Sequence, residues 1–164
     1  MFLSSISFKE YELSPKHWEV TTFELQPINL IVGYNATGKS RLLRTIKGLA
    51  DILFNSQKIP FEHGFNEVCF LNEANQHLHY KLSFDNSIII KEELFINGEN
   101  YMERNADGSG RIKNIQLNTP IDFKIPLNQV AIARRDSLQY PFLEDFFQWA
   151  NSLRYFRFSS EVAK

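Results

Sequence analysis

The stretch Ile28-Asn29-Leu30-Ile31-Val32-Gly33-Tyr34-Asn35-Ala36-Thr37-Gly38-Lys39-Ser40 decides how the rest of the chain is read. Its second part, Gly33 to Ser40, fits the phosphate-binding pattern G-x-x-x-x-G-K-[ST] at each constrained position. A loop that carries glycines can turn its backbone N–H groups inward around phosphate oxygens. A helix that starts directly after it aims its positive end at the same point. In that arrangement the Lys39 ammonium reaches the β- and γ-phosphates and the Ser40 hydroxyl holds Mg²⁺. The nucleotide-binding set is read as Gly33, Asn35, Ala36, Thr37, Gly38, Lys39, Ser40 and Arg41, with Lys39 also the catalytic residue.

The flanks carry the context that the pattern requires. Ile28–Val32 is a short, mostly apolar run that predicts a buried strand ending at Gly33. From Gly38 to about Phe54 the apolar residues Leu42, Leu43, Ile46, Leu49, Ala50 and Leu53 recur at helical spacing. Upstream, period-two patterns predict strands over 2–8 and 17–23. Downstream, residues 55–66 are polar, hold Pro60 and Gly64, and predict a loop. Short strands are then expected over 67–71, 77–84, 87–96, 99–104 and 111–117, with Asp85-Asn86 and Asn97-Gly98 as hairpin turns. Pro141 opens a helix predicted to reach Leu153, and 154–158 resembles a strand. That last helix is rich in aromatics, and its apolar surface predicts cover by a partner element, with Phe146 and Trp149 as anchors.

Composition narrows the class. The 164 residues suit one domain, and 18 Lys+Arg against 19 Asp+Glu argue against a surface built throughout for nucleic acid. The single cysteine, Cys69, excludes an internal disulfide, predicts a reducing cytoplasm and is read as a core residue. No apolar run is long enough to span a membrane, and residues 1–9 do not form a signal peptide. A GTPase would need N-K-x-D for guanine recognition, and that motif does not occur, so ATP is the expected nucleotide.

The loop Gly33-Tyr34-Asn35-Ala36-Thr37-Gly38-Lys39-Ser40 resembles the G-P-N-G-S-G-K-S loop of ABC-type ATPases of the SMC and recombination-repair kind. Residues 93–104 and 135–158 are also similar to bacterial ATPases of the overcoming-lysogenization-defect group, some tied to anti-phage defence. The resemblance implies an α/β P-loop NTPase (ABC-ATPase-like) core portion with an antiparallel β-subdomain. It divides a single domain, 1–164, into strands, loop and helix over 1–55, a β-subdomain over 67–124, and a helix and strand over 125–164. It also implies ATP and Mg²⁺ as cofactors and hydrolysis between two paired heads. The implied partners are a second copy, the C-terminal remainder of the head, and DNA or a nuclease effector, with no membrane.

The departures are Tyr34 for proline and Ala36 for glycine. Gln129 is the nearest counterpart to the Q-loop glutamine, a metal ligand in that family. No Walker B Asp-Glu pair and no signature motif follow Lys39; Val68-Cys69-Phe70-Leu71-Asn72-Glu73 offers Asn where Asp is needed. The chain is therefore expected to be the N-terminal half of a head. Two other readings stay open: a P-loop small-molecule kinase, and a nucleotide-gated interaction module without turnover.

Other residues read more plainly. His77 and His79 share a strand face with no completing ligands, so a solvated face is expected. Arg134, Arg135, Arg154 and Arg157 suit phosphates or a neighbouring subunit's nucleotide, but solvated or paired arginines are the commoner outcome. Lys9, Phe8, Tyr11 and Trp18 precede the loop and could approach adenine; the aromatics are read as core.

Overall fold

The computed structural model describes residues 1–54 and 62–156. Eight strands form one sheet: β1 (Phe2–Glu10), β2 (Trp18–Glu24), β3 (His63–Leu71), β4 (His77–Asp85), β5 (Ile88–Ile96), β6 (Glu99–Arg104), β7 (Ser109–Asn114) and β8 (Thr119–Lys124). Their order is β2-β1-β3-β4-β5-β6-β7-β8, and every pair is antiparallel. Tight turns suffice for most of these connections. Asn97 and Gly98 take positive φ, as a two-residue turn between β5 and β6 requires.

One face of the sheet is buried. Ile6, Phe8, Val68, Phe70, Tyr80, Leu82, Leu94 and Met102 alternate with outward residues along their strands and are almost fully shielded. Two helices close the core, α1 (Lys39–Phe54) through Leu49, Ile52 and Leu53, and α2 (Pro141–Ser152) through Leu143 and Phe146. A register shift between Leu3 and Ser5 puts both Leu3 and Ile6 in the core.

This architecture corrects the expected α/β P-loop NTPase core. The sheet is antiparallel, with β1 between β2 and β3 and a meander from β3 to β8, it carries two α-helices, and no parallel pair occurs among the described strands. Ile28–Val32 is not a strand. Ile28, Leu30 and Val32 are 91%, 87% and 76% exposed, and their main chain makes no hydrogen bond with a described residue. A buried strand needs neighbours on its edges, and no described strand lies beside this run. Within it, the Asn29 side chain folds back on Gln26, accepting from its N–H at 2.9 Å and donating to its carbonyl at 2.5 Å.

Other boundaries move as well. β3 begins at His63, inside the predicted loop, while residues 55–61 lie outside the described set. β8 was not expected, and β7 stops at Asn114. Residues 154–156 form no strand, and 157–158 lie outside the described residues. The expected partner cover for α2 is largely supplied by the chain itself. Phe146 is 1% exposed and meets Phe70 edge-on at 5.3 Å, and the half-buried Trp149 meets the same ring at 4.9 Å.

Segment 126–133 is fastened to the sheet by charge. Glu92 of β5, fully buried, accepts from the N–H groups of Ala131 (2.7 Å) and Ile132 (2.9 Å) and from the Tyr80 hydroxyl (3.0 Å). The buried Arg104 of β6 donates to the carbonyls of Ile89, Pro126 and Leu127. Burial pushes the Glu92 carboxyl up, against the two amides, Tyr80 and Arg104, which favour its charged form.

Candidate phosphate-binding site

The loop Gly33–Ser40 lies where the polypeptide leaves the unpaired run 28–32 and enters α1. Gly38 has φ +89°, a left-handed conformation, and its carbonyl accepts the first helical bonds, from Arg41 N–H and Leu42 N–H at 2.9 Å each. Ala36 is also left-handed, φ 65°. Alanine holds that conformation at a cost of about 1–2 kcal/mol. A glycine would hold the same conformation without that cost.

Lys39 is folded back over its own loop. Its ammonium donates to the carbonyls of Gly33 (2.7 Å) and Tyr34 (2.6 Å) and to Thr37 Oγ1 (3.4 Å). The Thr37 hydroxyl in turn donates to the Tyr34 carbonyl at 2.9 Å. No described acceptor takes up the main-chain N–H of Ala36, Gly38, Lys39 or Ser40. One cation, several free amide donors and a helix start therefore gather within eight residues. That set suits an anion with several oxygens.

The loop is tied to the edge hairpin. Arg41 donates to Glu10 at 2.7 Å, and its guanidinium lies over the Trp18 ring at 4.5 Å. Trp18 also packs against Phe8 with centroids 5.5 Å apart. A Cβ added at Gly38 would stand 3.4 Å from Trp18 Nε1. That is ordinary contact, so it is the left-handed φ that opposes a side chain at 38. Gly38→Ala is expected to destabilise the loop by about 1–2 kcal/mol, read as a lowered urea midpoint and a weakened anion affinity.

The remaining expected site residues are placed as follows. Asn35 and Gly33 are exposed in the loop, and the Ser40 hydroxyl makes no hydrogen bond with a described residue. Gln129 is half-buried in the turn after β8, its N–H donating to the Pro126 carbonyl at 3.1 Å, with no bond to Lys39 or Ser40. For Mg²⁺ the Ser40 hydroxyl is the available oxygen. No group of three or more His, Cys, Asp or Glu forms a metal site among the described residues. Mg²⁺ binds through few protein oxygens with phosphates and water completing its shell, so one hydroxyl fits the ion only together with a polyphosphate.

The aromatics upstream of the loop are engaged elsewhere. Phe8 is buried, Trp18 has Arg41 and Phe8 against it, and the Tyr11 hydroxyl donates to Glu62 at 2.8 Å. Lys9 and Tyr11 instead line a cavity of about 620 Å³ with His63, Ser83 and Asp85, where His63 and Asp85 pair; the loop takes no part in it.

His79 pairs with Glu67 at 2.7 Å, and Lys81 reaches the same carboxylate at 3.2 Å. These partners outweigh the effect of burial and hold the Glu67 carboxyl below its ordinary range. Cys69 is half-buried on the outer side rather than in the core. Arg135 pairs with Glu144 at 2.8 Å and stacks on Phe147, and Arg134 lies over Phe123 and Tyr140.

The sequence reading missed Glu10 and Trp18 as supports of the loop. Their signal is three-dimensional: β1 and β2 pair so that Glu10 stands opposite Trp18. No helix among the described residues is long and apolar enough to cross a membrane. No family model, curated protein or solved structure matches this chain.

Proposed function

We propose that the loop Gly33–Ser40 binds the polyphosphate of ATP with Mg²⁺, as the nucleotide-holding part of an SMC-like ATPase in the cytoplasm. The observation that carries this reading is the Lys39 ammonium turned onto the Gly33 and Tyr34 carbonyls, in a loop whose Ala36, Gly38, Lys39 and Ser40 N–H groups have no described acceptor. On binding, the ammonium exchanges those neutral carbonyls for phosphate oxygens, which adds an opposite charge to a contact whose donor is already ionised. Bound with the nucleotide, Mg²⁺ would lie on the Ser40 hydroxyl and neutralise phosphate charge.

Hydrolysis needs more than this loop supplies: a group to position or deprotonate water, and an acid beside the metal. In this proposal those groups come from the C-terminal remainder of the head and from a second copy. A nuclease or DNA-processing effector, plausible for anti-phage defence, is the proposed recipient of the resulting movement. The chain alone then binds ATP weakly and turns it over negligibly. Steady-state phosphate release tests this. Turnover by the 164-residue chain at a rate independent of its concentration, and abolished by Lys39→Ala, would contradict the divided site.

A second reading, a nucleotide-gated module without turnover, has one observation in its favour. Among the described residues no carboxylate bonds Lys39 or Ser40, and the fully buried Glu92 is committed to Ala131, Ile132 and Tyr80. Tight ATP binding that persists without hydrolysis in a complete assembly would favour it.

A further inference from the structure

The loop has a second cation close by that the phosphate-binding pattern does not use. Arg41 sits in the first turn of α1, two residues after Lys39, and its guanidinium is occupied: Glu10 accepts from Nη2 at 2.7 Å and the Trp18 ring lies beneath it at 4.5 Å. The arrangement is asymmetric in exposure. The Glu10 side chain is only 14% exposed, whereas that of Arg41 is 43% exposed. Glu10 is fixed on β1 by the sheet, and the arginine is the partner free to move. The indole that supports Arg41 also stands against Gly38, so the guanidinium and the loop share one neighbour.

We propose that Glu10 acts as an internal anion that holds Arg41 in reserve, and that a bound triphosphate takes Arg41 from it. This rests on the reading of the loop as an ATP site and adds to it the control of that site's charge. Arginine suits the exchange, since its planar fork binds carboxylate and phosphate alike in bidentate fashion. A ligand with several phosphate charges competes with one carboxylate, and a nucleoside monophosphate does so poorly. Glu10 thereby biases the site toward polyphosphates. Trp18 is a positioning residue here, keeping the guanidinium beside the loop in both arrangements.

The test is a double-mutant cycle on ATP affinity with Glu10→Gln, Arg41→Met and the double variant, in the full chain with Mg²⁺. Glu10→Gln is expected to tighten ATP roughly fivefold, about the worth of a partly exposed ion pair (~1 kcal/mol). The gain should vanish in the Arg41→Met background. No gain overturns the proposal. An equal gain in both backgrounds overturns it too, because it would report only the removal of a negative charge near the loop.

A second measurement needs no change at Glu10. In Trp149→Phe, Trp18 is the one remaining indole, and ATP should shift its emission as the guanidinium above the ring turns from Glu10 to phosphate, with no such shift in Arg41→Met. An unchanged emission at saturating ATP contradicts the exchange. If ATP binds, and Lys39→Ala abolishes binding while neither readout moves, this inference fails and the ATP site stands. Absence of ATP binding by the unmodified chain overturns both.

Discussion

Lys39→Ala is expected to weaken ATP binding at least about tenfold, ~1.4 kcal/mol. Lys39 is the loop's own side-chain cation, and its three contacts are all to atoms of the loop itself. Without it the loop keeps no side-chain cation of its own, and its amide donors and helix end are worth only about 0.3–1 kcal/mol when exposed. The same substitution should leave folding nearly unchanged, since the lysine's partners are exposed carbonyls that water can serve. Equilibrium dialysis with ATP, together with a urea melt, checks both halves. Binding unchanged within twofold would remove the loop as the site.

The second large effect concerns stability. Glu92→Ala is expected to cost about 3–5 kcal/mol, the range for breaking a buried charged network on one side. It leaves the Ala131 and Ile132 N–H groups and the Tyr80 hydroxyl without their acceptor, and Arg104 without a neighbouring anion. Glu92→Gln keeps one acceptor oxygen but places an amide against an N–H donor, and should cost about 1–3 kcal/mol.

The pH dependence has a definite sign. The folded carboxyl titrates above its unfolded value, so the folded state binds more protons in that window. Stability contributed by this group is fully present below the unfolded pKa and is lost as pH rises through the folded one. Urea midpoints followed upward from about pH 4 should show this decline in the unmodified chain and lose it in Glu92→Gln.

How much of this was legible depends on range. The helix start after Gly38 and the hairpins at Asn86 and Asn97-Gly98 are local events, set by glycine, asparagine and the loss of strand period. Ile28–Val32 reads as a strand because apolar runs describe what a segment can pair with, whereas pairing also needs a partner beside it. Thr119–Lys124 lies beyond the last predicted strand, and Pro120 weakens its strand pattern. It is one of the sheet's two edge strands, where the missing N–H of proline is tolerated. Glu92 follows Lys91 and precedes Glu93, which reads as a solvated stretch. Its burial is offset by donors about forty positions later, and no window of sequence holds both. The loop's eight residues were legible for the opposite reason, since each constraint on them is carried by a neighbour in the chain. Glu10 and Trp18 were not, because their approach to Arg41 and Gly38 is made by sheet pairing.

The most direct test of the account is a calorimetric titration of the unmodified chain with ATP, ADP and AMP in the presence of Mg²⁺. If the loop holds a polyphosphate through Lys39 and free amides, affinity falls stepwise as phosphates are removed and AMP binds least. Equal affinity for all three, or no binding of ATP at millimolar concentration (about 4 kcal/mol), would contradict a phosphate-binding loop at Gly33–Ser40.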